Sequence, residues 1–94
     1  VRRCTASDSR LIVHIRWFRA RSRRDFGAAV ADARKDAKLT QFELADRTGL
    51  SRSTIQRLER GADISLGAAL TALAELGHEA VIIPRRSRVH VTGD

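Results

Sequence analysis

The side chains that most often carry catalysis or bind metals are few and widely separated in this sequence. The three histidines, His14, His78 and His90, have no partners at the spacing of metal ligands, and Cys4 is the single cysteine. Acidic residues stand three or four positions from basic ones, as on a solvated helix face. The sequence also lacks a glycine-rich phosphate loop. We therefore expect no enzyme, no metal site and no cofactor.

The charge of the chain is unevenly distributed. The 94 residues carry a net charge of +7, and eight arginines with one acidic residue in residues 1–24 account for all of it. Residues 25–94 hold equal numbers of basic and acidic side chains. The overall charge therefore does not by itself indicate a nucleic-acid partner for that part, and DNA binding must be argued from the local placement of side chains.

Capping residues and apolar periodicity predict four helices after the first 21 residues. The first three are expected at about 23–37, 41–48 and 52–60, and the fourth begins after a cap at Ser65 and ends at Gly77. Helical spacing predicts that the buried stripe of the fourth helix consists of Leu66, Ala69, Leu70, Leu73 and Leu76.

Residues 41–61 meet the demands of two short helices that cross steeply over a tight turn. Ala45 is small enough for the two helices to approach closely, and Gly49 allows the turn. The positions expected to face inward hold Leu44, Ile55 and Leu58. This segment is therefore predicted to be a helix-turn-helix.

The segment resembles the helix-turn-helix of the XRE superfamily, the Cro and phage-repressor group of DNA-binding regulators. The family pattern reads much like LTQxxLAxxxGxSxxxIxxxExG, and every fixed position is filled between Leu39 and Gly61. The resemblance covers residues 26–77. It implies a mainly α fold, a compact four-helix lambda-repressor-like domain, which is followed here by a short C-terminal β-strand.

The resemblance also implies which residues contact DNA, because the second helix of the motif lies in the major groove in this superfamily. Base reading is assigned to Ser51, Arg52, Ser53, Gln56 and Arg57. Contacts with the DNA backbone are assigned to Thr40, Gln41 and Arg60. Arginine can bond bidentately to guanine, so Arg52, directly after the Ser51 cap, is the best candidate for reading a base. Glu59 is expected to pair with Arg34 of the first helix in a structural ion pair.

Residues 79–83 are rich in β-branched side chains and end at Pro84, which predicts a short strand. Such a strand needs a partner, either residues 11–17 of the same chain or its own copy in a second subunit. The Leu76–Gly77 turn and this strand resemble the HipB-like antitoxins, which share the strand across a dimer. The dimer strand would consist of Ala80, Val81, Ile82 and Ile83.

The narrower resemblance implies an antitoxin that represses its own operon and neutralises a toxin, often a HipA-like kinase. We therefore predict a sequence-specific repressor that binds a palindromic operator in double-stranded DNA as a homodimer, in the bacterial cytoplasm at the nucleoid. Three alternatives stay open. They are a stand-alone phage-type repressor, a module that mainly binds a toxin, and an RNA binder that uses the Arg-rich arm.

The predicted organisation has three parts. An Arg-rich N-terminal extension occupies residues 1–21, the helix-turn-helix domain with its strand occupies residues 22–84, and a polar tail occupies residues 85–94. The extension and the tail are expected to be poorly ordered. No apolar run approaches the roughly 18–20 residues of a membrane span, so no membrane partner is expected.

Overall fold

Four helices make up most of the chain that the structure, a computed structural model, describes, namely residues 17–88. They are α1 (Arg23–Asp36), α2 (Gln41–Thr48), α3 (Arg52–Arg60) and α4 (Leu66–Glu75). The predicted mainly α fold is thereby confirmed. Residues Arg19–Val81 form one compact unit, and among the described residues only 17–18 and 82–88 lie outside it. Most of the predicted extension and the end of the predicted tail fall outside the described residues.

Each helix is preceded by the capping residue that the sequence predicts. The hydroxyls of Ser22, Thr40, Ser51 and Ser65 each accept the backbone N–H three residues further on, at 3.0 to 3.1 Å. These bonds satisfy N–H groups that have no partner within the helix. Caps of this kind depend only on local sequence, so their residues could be identified without knowing how the helices pack.

Ser22 with Asp25 and Thr40 with Glu43 have the spacing of a capping box, which predicts one box at α1 and one at α2. At α2 the box is complete, because the Thr40 N–H donates to Glu43 Oε1 at 2.8 Å, and this bond lowers the pKa of Glu43. At α1 the Asp25 carboxylate accepts the Arg21 N–H at 3.1 Å instead of the Ser22 N–H. Aspartate is one methylene shorter than the glutamate usual at this position, so α1 has only the Ser22 half of the box.

Two clusters of buried side chains form the core. The larger contains Val30, Leu58, Ala69, Ala72 and Leu73, and the smaller contains Leu44, Ala45 and Ile55. Leu76 is half-buried and packs against both clusters. The inward positions predicted for Leu44, Ile55 and Leu58 are confirmed, since all three are buried.

The predicted stripe of α4 is partly wrong. Leu66 and Leu70 are 73% and 45% exposed, whereas Ala72, which was not expected in the stripe, is fully buried. At about 100° per residue, Leu70 points away from the face centred on Ala69, Ala72, Leu73 and Leu76. The leucines of α4 predict a wider buried stripe than the helix has, because two of its three buried residues are alanines.

The predicted strand over 79–83 is absent from the single chain, because no strand forms within residues 17–88. A strand exists only when another strand pairs with its backbone, and the segment finds no such partner among these residues. Val81 and Ile82 are 71% and 99% exposed. Residues 11–16, most of the intramolecular partner that the sequence allows, lie outside the described part of the chain.

Helix α1 packs most extensively against α3, and the two helices approach closely at Gly27. A Cβ atom at this buried glycine would lie 2.3 Å from the backbone oxygen of Leu58 and 2.8 Å from that of Glu59. The absence of a side chain at Gly27 therefore sets the separation of α1 and α3. This role was not expected from the sequence, where Gly27 interrupts an otherwise ordinary helical pattern.

The lengths and polarity of the helices can also be compared with those of membrane spans. Within the described part of the chain, none of the helices has the length and apolar character that crossing a bilayer requires.

Candidate nucleic-acid interface

Helix α3 has one buried and one exposed side. Ile55 and Leu58 point into the core, and the opposite side faces water. The five side chains expected to read bases divide by exposure: Ser51, Arg52, Ser53 and Arg57 are exposed, and Gln56 is half-buried. The structure therefore brings these five side chains together along the exposed side and first turn of α3.

The hydroxyl of Ser51 is fully occupied within the chain. It accepts the Thr54 N–H at 3.0 Å and also lies 2.8 Å from Thr54 Oγ1 and 3.2 Å from Ser53 Oγ. A hydroxyl offers one donor and two acceptor sites, so these three contacts use all of them. Ser51 therefore serves first as the cap of α3, while the Ser53 hydroxyl keeps capacity for another partner.

The arginines along α3 differ in how strongly the chain restrains them. Arg57 Nη2 donates to the backbone oxygen of Asp63 at 2.9 Å, which ties this side chain to the loop after the helix. The Arg52 guanidinium has no hydrogen bond or ion pair with any residue of the described range. Arg60 is exposed at the C-terminal end of α3. Among the described residues neither Arg52 nor Arg60 has a partner for its guanidinium, so both keep their donors available to a ligand, and of the two Arg52 lies in the first turn of α3.

A partly buried ion pair joins α1 to α3 behind this surface. Arg34 Nε donates to Glu59 Oε2 at 2.7 Å and Nη2 donates to Oε1 at 3.0 Å. The side chains of Arg34 and Glu59 are only 11% and 8% exposed. The hydrogen bond to Glu59 and its negative charge raise the pKa of Arg34, and burial opposes them. Arg34 Nη1 also donates to the backbone oxygen of Leu39 at 2.8 Å, so one guanidinium holds α1, α3 and the α1–α2 loop.

Gln41 is drawn into the same network. Its Nε2 donates to Glu59 Oε1 at 3.0 Å, a contact that the sequence did not suggest. A carboxamide nitrogen carries two N–H groups, so one donor remains for the phosphate contact expected of Gln41. Thr40, the other expected backbone contact on α2, is exposed and holds its capping box. The start of α2 is therefore fixed in position by both local and long-range hydrogen bonds.

One protein family matches the region that holds these side chains. Its model, described as helix-turn-helix, matches residues 30–77, just over half of the chain. The chain belongs to the helix-turn-helix family. The matched range begins within α1 and includes α2, α3 and α4 completely, so every side chain described above as an expected DNA contact lies on the helix-turn-helix part of the protein.

Solved structures share the fold of this helix-turn-helix protein. A variant of HipB in complex with an O2 20mer matches at 21% identity with a TM-score of 0.70, over 76% of this chain and 100% of that one. A HipB–O4 20mer complex matches at 21% identity with a TM-score of 0.69, over 74% and 100% of the two chains. A HipA–HipB–O2–O3 complex matches at 22% identity with a TM-score of 0.68, over 74% of this chain and 100% of that one. No curated protein sequence matches the chain.

Proposed function

We propose that this protein is a sequence-specific DNA-binding transcriptional repressor. One observation carries the proposal: the side of α3 that holds the expected base-reading residues is exposed, and so is the start of α2 in the same helix-turn-helix. The Arg52 guanidinium, which has no partner within residues 17–88, offers the planar donor pair that matches guanine O6 and N7. The N-terminal turn of α2 offers backbone N–H groups suited to phosphate.

The base-reading role falls mainly on Arg52, Ser53, Gln56 and Arg57, with Ser51 fixing the start of the helix that carries them. Ile55 and Leu58 anchor the buried side of α3, and the Arg34–Glu59 pair holds its C-terminal half against α1. A reading helix held in this way enters the groove with little loss of conformational freedom.

Arg52→Ala is expected to relax the preference at one base position in each half-site of the operator, with discrimination there falling by about 1–3 kcal/mol. The control is Arg60→Ala, which removes an exposed cation assigned to the DNA backbone. It is expected to weaken binding to all sequences alike and to reduce the slope of log affinity against log salt by about one unit.

The measurement is a competition assay over single-base variants of the operator at fixed salt, repeated at several salt concentrations. If Arg52→Ala weakened binding equally for every variant, Arg52 would be a phosphate contact, and its assignment to base reading would be wrong. Failure to bind any duplex with sequence preference would remove the repressor proposal itself.

We also propose that the protein acts as a homodimer through residues 80–83, since Val81 and Ile82 are exposed and their segment finds no strand partner among the described residues. Val81→Pro is expected to weaken the dimer, because proline removes a backbone N–H from the strand ladder. Sedimentation equilibrium at micromolar concentration measures the effect. A monomer for the unmodified protein would contradict the dimer.

The finer role we propose is that of an antitoxin whose partner is a HipA-like kinase. Its support is the shared fold with HipB, including HipB in a complex with HipA, together with the Leu76–Gly77 turn before residues 80–83. A reading frame for a HipA-like kinase beside the gene for this chain would favour this role over that of a stand-alone repressor. On this reading no enzymatic activity is expected of the chain itself.

A further inference from the structure

Phe42 is a large apolar side chain at the second position of α2, and 64% of it is exposed. A single exposed apolar residue needs no special explanation, but the surroundings of Phe42 set it apart. It follows Gln41 directly, and Gln41 is turned toward Glu59. Neighbours in a helix point about 100° apart, so Phe42 leaves the same turn in another direction.

That direction opens on a groove of about 310 Å³ between α2 and the start of α3. Phe42, Ala45 and Asp46 line it from α2, and Gly49, Leu50 and Arg52 complete it. Phe42 and Arg52 therefore line the same open volume. The family resemblance assigns base reading to Arg52 and implies no role for Phe42.

We infer that Phe42 is a second specificity-determining residue, whose ring packs on the C5 methyl group of a thymine close to the base that Arg52 reads. The inference rests on the proposed DNA-binding function, and it adds a residue of α2 to the base-reading residues of α3. Thymine is the base that presents a methyl group in the major groove, and phenylalanine is a side chain that contacts it.

The chemistry of the groove favours a base edge over the DNA backbone as the partner of Phe42. Asp46 also lines the groove, and its negative charge disfavours a phosphate there. The ring of Phe42 has no hydrogen-bond donor to offer a phosphate. Adjacent bases on one strand are about 3.4 Å apart along the duplex axis. Two side chains that line a single groove can therefore reach neighbouring base pairs.

The test begins with the full chain and a random pool of double-stranded DNA, from which a preferred duplex is selected. Each thymine of that duplex is then replaced singly by uracil, which removes only the methyl group. For the unmodified protein, one position in each half-site is expected to lose about fourfold in affinity, the value of one buried methyl carbon. For Phe42→Ala, uracil at that position is expected to cost nothing further, because the ring that contacts the methyl group is gone.

Leu66→Ala is the matched control, since it also removes an exposed apolar side chain but lies on α4. It should keep the full uracil effect, and Phe42→Leu should keep part of it. The inference is overturned if no thymine-to-uracil change couples to Phe42, or if the selected site has no thymine near the position that Arg52 specifies. If no duplex is enriched, both the proposed function and the Phe42–thymine contact are wrong. If a duplex is enriched but no thymine-to-uracil change couples to Phe42, only the contact is wrong.

Discussion

Arg34→Ala is expected to lower the free energy of unfolding by about 3–5 kcal/mol, because it leaves the Glu59 carboxylate buried with its main partner gone. Gln41 would be the one remaining side-chain donor to Glu59 among the residues that the structure describes. The backbone oxygen of Leu39 would lose its hydrogen bond as well. Domains of this size have a total stability of about 5–15 kcal/mol, so this single change could remove much of it. Chemical denaturation monitored by circular dichroism measures the loss.

A double-mutant cycle separates the pair from the rest of the network. Glu59→Ala alone is expected to cost a similar amount, because the buried Arg34 guanidinium would lose both of its bonds to Glu59. The double variant should cost far less than the sum of the two, since it leaves neither charge without its partner. Arg34→Lys is the conservative control and should recover only part of the stability, because an ammonium group cannot make the paired, planar contact. A coupling energy indistinguishable from zero would contradict this account.

Gly27→Ala is the second substitution with a large expected effect. The added methyl group would lie 2.3 Å from the Leu58 backbone oxygen, so α1 and α3 would have to move apart. Overpacking of this kind costs about 1–3 kcal/mol and sometimes more, and the clash here is with backbone, which yields less than a side chain. The better helix propensity of alanine offsets at most about 1 kcal/mol of this loss of stability. We expect a net loss of about 2 kcal/mol, measured by thermal or chemical unfolding.

The chain contains a matched control for this substitution. Gly67 also lies in a helix, but a Cβ atom there would meet nothing within 4 Å. Gly67→Ala should therefore stabilise the protein by about 0.4–1 kcal/mol. Opposite signs for the two glycine substitutions would show that the contact with α3, and not helix propensity, decides the effect at Gly27. Equal and favourable effects would mean that α1 and α3 have room for a methyl group.

The helices and their caps could be predicted because the interactions that set them are local. Ser51 reaches Thr54, and Thr40 reaches Glu43, across three residues of sequence. The positions of Arg52 and Arg60 on α3 followed from the same periodicity together with the family pattern.

Features that depend on how the helices cross could not be predicted in this way. The contact of Gly27 with α3 and the hydrogen bond from Gln41 to Glu59 join residues far apart in sequence. Leu70 was expected in the core, but alanines supply most of the buried face of α4. The segment 79–83 has the composition of a strand, but composition cannot supply the second strand that pairing requires.

Helix α3 contributes Ile55 to one core cluster and Leu58 to the other, and Leu76 packs against both. Neither cluster can lose its packing without disturbing a residue that borders the other. Local opening of α3 alone would therefore break both halves of the core, so its amide protons should exchange mainly through global unfolding. A ligand held by α3 would in turn stabilise the whole unit from α1 to α4, and not only the two helices nearest to it.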